Sequence, residues 1–457
     1  MSSEKENQFK QTEIGLLPEN WNLVLLKDAC SKIGSGLTPR GAEKVYKTKG
    51  ITLIRSQNVL NSRFVSDGLV YIDENIAKEM ENVEVLRQDV LLNITGDSVA
   101  RCCTVPDYVL PARVNQHVSI VRTNAKHLDP VFLRYYLTSP KMQSYMLSLA
   151  QSGGTRNALT KGMIENFVVP KPDVKEQKEI ADILSNLDSK ISLNSEMNET
   201  LEAIGKTIFR RWFVDFEFPN EEGKPYKSSG GEMTYDEESG RDKPKEWETK
   251  KIGAIEVTVT DFVANGSFAS LKNNVRITET EDFALFIRNI DLKNDFSTRR
   301  YVTESAYKFL SKSQLHGGEV IISNVGDVGS VYLCPFFKKP MTLGNNIILI
   351  RSNGKRNFNY YLYHLFKSKI GQNLIESITT GSVQMKFNKT DFRNLNVFIP
   401  ERKLLEKFNG LIESLWRKIR ANKENTSVIQ TIRDSLLPKL MSGKIRVPVQ
   451  KEDTGSQ

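Results

Sequence analysis

The chain contains only four cysteines, Cys30, Cys102, Cys103 and Cys334. None forms a Cys-x-x-Cys pair and no histidine stands at metal-ligand spacing from them, which excludes a disulfide framework and a zinc site and leaves reduced core thiols. Histidine is as sparse: the four, at positions 117, 127, 316 and 364, do not cluster. No window approaches the roughly 20 apolar residues of a membrane span, and the opening MSSEKENQFKQTE lacks the apolar stretch of a secretory signal. The expectation is a cytoplasmic chain with no membrane partner. Also missing are G-x-x-x-x-G-K-[ST] and a strand running into G-x-G-x-x-G, which excludes the two common nucleotide cradles.

Two catalytic patterns nearly form. Pro172-Asp173 followed by Glu176-Gln177-Lys178 resembles a nuclease carboxylate set, but its parts are adjacent rather than on separate strands of one metal site. Asp129-Pro130-Val131-Phe132 resembles a methyltransferase Asp-Pro-Pro-Tyr loop without its second proline. Both read as helix starts. With no catalytic residue to name and no metal site, an adaptor or reader is the class that remains.

At 457 residues the chain predicts two to four domains. Its 64 Lys and Arg against 55 Asp and Glu give a net charge of +9, and the pI is near 9.1. That balance suits a polyanionic partner such as nucleic acid.

The second half restates the first at an offset of about 230 residues. Each copy opens on Pro-x-x-Trp, at Trp21 and at Trp247. An apolar segment ending in Ile-Arg follows, TLIRSQNV (Arg55) and ALFIRNIDL (Arg288), then a tyrosine, Tyr71 and Tyr301. Next, an apolar strand runs into a Gly-Asp turn, Gly96-Asp97 and Gly326-Asp327, whose glycine accepts a positive φ. ARVNQHVSIVR then matches LGNNIILIR, PVFLRYYL matches FNYYLYHL, and the polar loop SGGTRNALT matches TTGSVQMKFN. A strand stopping at Pro170 or Pro400 ends each copy.

A long helix follows each copy. Apolar residues recur at steps of four and three: Leu184, Leu187, Ile191, Leu201, Ile208 and Trp212 in the first, Ile412, Leu415, Ile419, Ile429, Leu436 and Leu440 in the second. This is a heptad seam. Both seams turn polar in the middle, at Asn194 and Asn198 and at Asn422 and Thr426. An antiparallel pair would let these polar residues satisfy one another and set the register. Between the copies, 215–245 is rich in Gly, Pro, Ser, Glu and Lys and reads as a solvated connector. After Met441 the tail is expected to begin with a glycine cap and to end disordered.

This order of elements resembles the specificity subunit of type I restriction-modification systems. It is carried by the Pro-x-x-Trp openings, the Ile-Arg segments, the Gly-Asp turns, the junctions NFVVPKPDVKEQKEIADIL and NVFIPERKLLEKFNGLI, and the helix ending FRRWFVDFEF. The second junction departs by lacking the Pro-x-x-x-x-Gln of the first. The resemblance implies a mixed α/β (α+β) fold: two tandem target-recognition domains, 1–173 and 246–401, each followed by a long helix, 174–214 and 402–441, with a linker at 215–245 and a tail at 442–457. The helices would form an antiparallel coiled coil with pseudo-two-fold symmetry. It further implies a non-catalytic subunit that reads a bipartite, asymmetric site in double-stranded DNA. Two methyltransferase subunits and the restriction and translocase subunits would be its partners, and S-adenosylmethionine, ATP and Mg²⁺ would belong to those partners. A coiled-coil scaffold that reads no DNA is the alternative.

Polar side chains on groove-facing loops are the candidate base readers. In the first copy these are Arg55, Gln57 and Asn58, then Thr155, Arg156 and Asn157; in the second, Arg288 and Asn289, then Ser382, Gln384 and Lys386. Arg55 and Arg288 occupy matching framework positions, so a structural ion pair competes with a base contact there.

Overall fold

The structure, a computed structural model, describes residues 8–152 and 157–448. The chain divides into two compact units. One joins the chain up to Asn194 with the chain from Glu424 onward; the other is the continuous run Ser195–Lys423. These bounds cut across the consecutive domains expected from sequence, because each long helix buries its two halves in different cores. Ile180, Ala181 and Leu184 share a core with Trp21, Leu437 and Leu440, whereas Phe209 and Ile412 share one with Trp247.

The two units repeat one topology. In the first, Cys102–Thr104, Val90–Asn93, Val118–Thr123 and Cys30–Ser35 form an antiparallel sheet. A second sheet orders Val70–Ile72, Ile51–Ile54, Ala112–Val114 and Glu84–Val85, with its two central strands parallel. In the second unit Val257–Asp261, Ile347–Ser352, Val320–Ser323 and Val331–Leu333 form the antiparallel sheet. There the parallel pair is Ala284–Ile287 with Met341–Leu343. The strand ending each copy returns to the start of that copy: Val168–Lys171 pairs with Asn22–Leu25, and Asn396–Ile399 with Glu248–Lys251.

Each Pro-x-x-Trp is a turn closed by the tryptophan amide on the proline carbonyl, at 2.9 Å for Trp21 and 3.0 Å for Trp247. Both indoles are buried, but against different chemistry. Trp21 Nε1 donates to Glu176 Oε2 at 3.1 Å, and Arg446 grips the same carboxylate through Nε at 2.8 Å and Nη2 at 3.1 Å. Trp247 packs instead on Phe213, Phe216 and Phe218, with ring centroids 5.6 to 5.8 Å away. The junctions differ in the same way. Gln177 is buried and ties the first junction together, accepting from Asp129 N at 2.8 Å and donating to the carbonyls of Pro172 (3.0 Å) and His127 (3.1 Å). At the start of the second helix the buried Leu404 and Leu405 make an apolar junction.

The helices run Val174–Phe209, prolonged by a π-helical turn Arg210–Val214, and Arg402–Met441. Within the first unit their halves lie antiparallel: Asp188 Oδ1 accepts from Arg433 Nη1 at 2.8 Å, and Asn194 Nδ2 donates to Thr426 Oγ1 at 3.1 Å. Asp188 also accepts from Tyr135 OH at 2.6 Å and pairs with the buried Arg134 at 3.4 Å. Within the second unit Asn422 Nδ2 donates to Asn198 Oδ1 at 2.9 Å. There Gly205, offset from Arg433 by the repeat, backs onto the ring of His364 beside Ile412. Asn194 is almost fully buried, so Asn194→Leu, which removes its bond to the half-buried Thr426 hydroxyl, is expected to cost about 1 kcal/mol. Urea unfolding of the purified chain measures this, and an unchanged or raised midpoint contradicts it.

The connector 215–245, read as solvated from sequence, is folded; the end of the tail, expected to be disordered, lies outside the described residues. In 215–245, Phe216 and Phe218 are buried, Phe218 stacks on Tyr226 at 4.5 Å, and Met233–Asp236 pairs with Arg241–Pro244 as a hairpin. The few apolar residues of this stretch are what fasten it, because they land on Trp247. Asp236 is held down to about 2 by hydrogen bonds from Ser239 and Thr249 and by Lys243, which together outweigh its desolvation. The tail after Met441 turns at Gly443, whose φ is +64°, and delivers Arg446 to Glu176. The four cysteines are free thiols; burial pushes Cys30 and Cys103 up to about 12 and raises Cys102 and Cys334 as well.

Candidate nucleic-acid interface

Both Ile-Arg segments build the same lock. Arg55 N donates to Asn58 Oδ1 at 3.0 Å, and Arg288 N donates to Asp291 Oδ2 at 2.9 Å, so the residue three places on caps a short helical turn in each copy. Asn58 is fully buried and its amide also donates to the carbonyls of Val65 (2.9 Å) and Asp67 (3.2 Å). Its hydrogen-bonding capacity is used inside the fold, which corrects its candidacy as a base reader. Arg55 reaches inward to Gly68 O at 2.6 Å and lies over the Tyr46 ring at 5.5 Å. Arg288 clasps Asp291, a carboxylate with almost no solvent exposure; its Nε lies 2.9 Å from Oδ2, and the pairing raises the arginine's pKa. Arg288 takes the ion-pair role set beside base contact above, whereas Arg55 holds a backbone carbonyl and a tyrosine face.

The exposed candidates of the first unit gather at one strand end. Val90–Asn93 leads to Gly96, and Asn93 Nδ2 holds the Gln57 turn through Ser56 O at 2.9 Å and Val59 O at 3.1 Å. Gly96 N donates to Asn157 O at 3.1 Å, and Thr95 pairs with Ala158. Gln57 and Asn157 are exposed on this edge. Thr155 and Arg156 lie outside the described residues. Two residues of the edge were not singled out from sequence: Gln116 Nε2 lies 3.0 Å from His117 Nε2, and His117 Nδ1 lies 2.6 Å from Thr95 Oγ1. The signal for them was available, since the match of VNQHV to GNNI puts different side chains on a shared turn.

The second unit repeats the edge with other side chains. Asp327 draws its surroundings together, accepting from Ser330 Oγ at 3.0 Å and Lys293 Nζ at 3.3 Å; the Ser330 bond first, then Lys293 and Asn289, hold its carboxyl below the usual range. Asn289 is therefore partly engaged. Gly326 N donates to Met385 O at 3.0 Å, fixing the loop that carries Ser382 and Gln384. Thr380 and Lys386 exchange amide bonds at its base, at 2.8 and 2.9 Å, and Phe387 below them is buried. Gly381 to Lys386 are all exposed.

The family model for the type I restriction modification DNA specificity domain matches residues 18–203 and again residues 244–407. The chain belongs to the type I restriction-modification DNA specificity family. A relative among the specificity subunits, that of the type I restriction enzyme MjaIX from Methanocaldococcus jannaschii, is 26% identical over 97% of both chains. The HindI specificity subunit of Haemophilus influenzae is 21% identical over 86% of this chain and 94% of its own. The crystal structure of a type I S subunit from M. genitalium shares the fold, with a TM-score of 0.56 at 13% identity over 92% of this chain and 96% of that one. The two matched specificity segments correspond to the two repeats, and the function of the chain is DNA sequence specificity in a type I restriction-modification system. Among the described residues, no helix is long and apolar enough to cross a membrane.

Proposed function

We propose that the chain reads a bipartite, asymmetric duplex target, one half with each repeat, and hands that choice to partner subunits that methylate adenine or cleave. One observation carries this: the two copies share their framework bonds while exposing different side chains on matching loops, Gln57, Gln116 and Asn157 against Ser382, Gln384 and Lys386. Equal scaffolds with unequal edges suit two unlike half-sites, because base edges in the major groove are told apart by the donors and acceptors set against them. Phosphate contacts from the basic surface would supply affinity without sequence choice.

The chain itself carries out no reaction in this reading. Three of its thiols are buried and Cys30 is half-buried, His364 is buried, and the carboxylates Glu176, Asp188, Asp291 and Asp327 are engaged with cationic or hydrogen-bonding partners. Two methyltransferase subunits would bring S-adenosylmethionine, and restriction and translocase subunits ATP and Mg²⁺. The setting is cytoplasmic, with double-stranded DNA as the common ligand.

The test is co-expression with the cognate methyltransferase subunit, followed by sequencing that maps methylated adenines. Methylation is expected at one split, asymmetric motif. Exchanging residues 1–173 for those of another specificity subunit should change one half of that motif and leave the other. A motif unchanged by the exchange, or methylation that persists without this chain, contradicts the reading.

A further inference from the structure

The loop between Thr380 and Lys386 carries a residue that polarity alone does not explain. Val383 is 99% exposed, the most solvent-accessible large hydrophobic side chain among the described residues, and Met385 beside it is 49% exposed. Turn tips are usually built from Gly, Asn, Asp, Ser or Pro, whose side chains make or tolerate the turn. A β-branched valine offers no such geometry and here buries nothing. Yet the base of the loop is held at several points: by the Thr380 and Lys386 amide pair, by Gly326 N on Met385 O at 3.0 Å, and by Phe387 N on Asn324 O at 3.1 Å with Asn324 Nδ2 returning to Phe387 O at 3.2 Å. Phe387 anchors it from below against Phe392, ring centroids 5.7 Å apart. The result is a narrow finger on a fixed stem, with an apolar tip between two polar side chains, Ser382 and Gln384.

A finger of this width suits the major groove, which admits elements up to an α-helix or a two-stranded ribbon. The groove offers one apolar feature, the C5 methyl of thymine, and a small aliphatic side chain is the group that reads it. We infer that Val383 contacts a thymine methyl in the half-site read by the second repeat, while Ser382 and Gln384 form hydrogen bonds to neighbouring base edges. This rests on the bipartite-reader proposal above and adds to it one base identity and one residue. Because Val383 is almost wholly free of protein contact, its replacement leaves the fold intact, and its effect is confined to DNA.

The experiment uses the complex of this chain with its methyltransferase subunit and a duplex carrying the mapped motif. Each thymine of the half-site, on either strand, is replaced in turn by deoxyuridine, which removes the C5 methyl and nothing else. At one position the wild-type complex is expected to bind about fourfold more weakly, the size of one buried methyl-sized group. With Val383→Ser the thymine and uracil duplexes should bind equally, while thymine replacements in the other half-site act alike on both proteins. The inference is overturned if no thymine shows the loss, if the loss survives in Val383→Ser, or if the half-site has no A·T pair. Failure of the underlying proposal shows itself differently: the wild-type complex then binds the motif and a scrambled duplex alike, and the inference falls with it.

Discussion

Arg446→Ala is expected to destabilise the unit that contains Trp21 by about 3–5 kcal/mol, the range for removing one partner of a buried ion pair. Glu176 has only 4% of its side chain exposed and is surrounded by the Trp21 indole and the Arg446 guanidinium. Without the arginine a carboxylate remains buried with one neutral donor, and it sits on the first turns of a long helix from which it cannot swing to water. The reverse change, Glu176→Ala, should cost less, because Arg446 is 31% exposed and can turn outward. Ending the chain after Lys444 should reproduce the arginine effect, although it removes only residues beyond the last helix. Urea or thermal unfolding of the three variants checks this. Equal and small losses, below about 1 kcal/mol, would reduce the contact to a surface pair of the kind worth little.

Acid should weaken the second unit through His364. The ring is stacked on Phe209 at 5.8 Å and lies edge-on to Phe408, its Nε2 has no hydrogen-bond partner among the described residues, and burial, with a smaller contribution from Lys367, pulls its pKa from 6.5 to about 3. The unfolded chain takes up the proton near pH 6.5 while the folded one refuses it until about pH 3. Stability from this group is therefore complete above pH 6.5 and is lost as pH falls toward 3. At pH 4.5 the loss is about 2–3 kcal/mol, from roughly 1.4 kcal/mol per pH unit. His364→Phe keeps an aromatic ring in the cluster and cannot titrate. The stability difference between variant and wild type should move by that amount in the variant's favour between pH 7 and 4.5; a difference independent of pH would mean the ring is protonated in the fold.

Much of the framework was legible because it is written locally and written twice. Trp21 and Trp247 close the same turn, Gly96 and Gly326 both take positive φ, and the heptad positions appear in two long helices. The candidate edge was less legible, for a physical reason. A polar side chain in a loop looks the same in sequence whether it faces water or, like Asn58, spends every donor and acceptor on the backbone around it. The distinguishing clue, an Asn or Asp three places after each arginine, is a capping signal and was present in both copies. Phe216, Phe218 and Tyr226 were hidden for the opposite reason: dispersed among Gly, Pro and charged residues they show no period, and the packing of Phe216 and Phe218 on Trp247, with Tyr226 stacked on Phe218, fastens the segment. Gln177 and Glu176 read as the opening of a helix, which they are; their buried bonds to Asp129, Trp21 and Arg446 are made across distances no local pattern encodes.

The shared helices also set an order in time. The unit Ser195–Lys423 is one uninterrupted stretch of chain, whereas the other needs both its amino-terminal part and everything from Glu424 to Arg446. A ribosome therefore releases the pieces of the first-made half in two instalments, separated by roughly ten to fifty seconds at about 5–20 residues per second. During that interval Ile180, Ala181 and Leu184 lack Leu437 and Leu440 as neighbours, so an apolar helix face stays open while the later unit is already able to close. The half that begins translation is the half that finishes folding last, and it is there that a chaperone or an early-binding subunit would have most to protect.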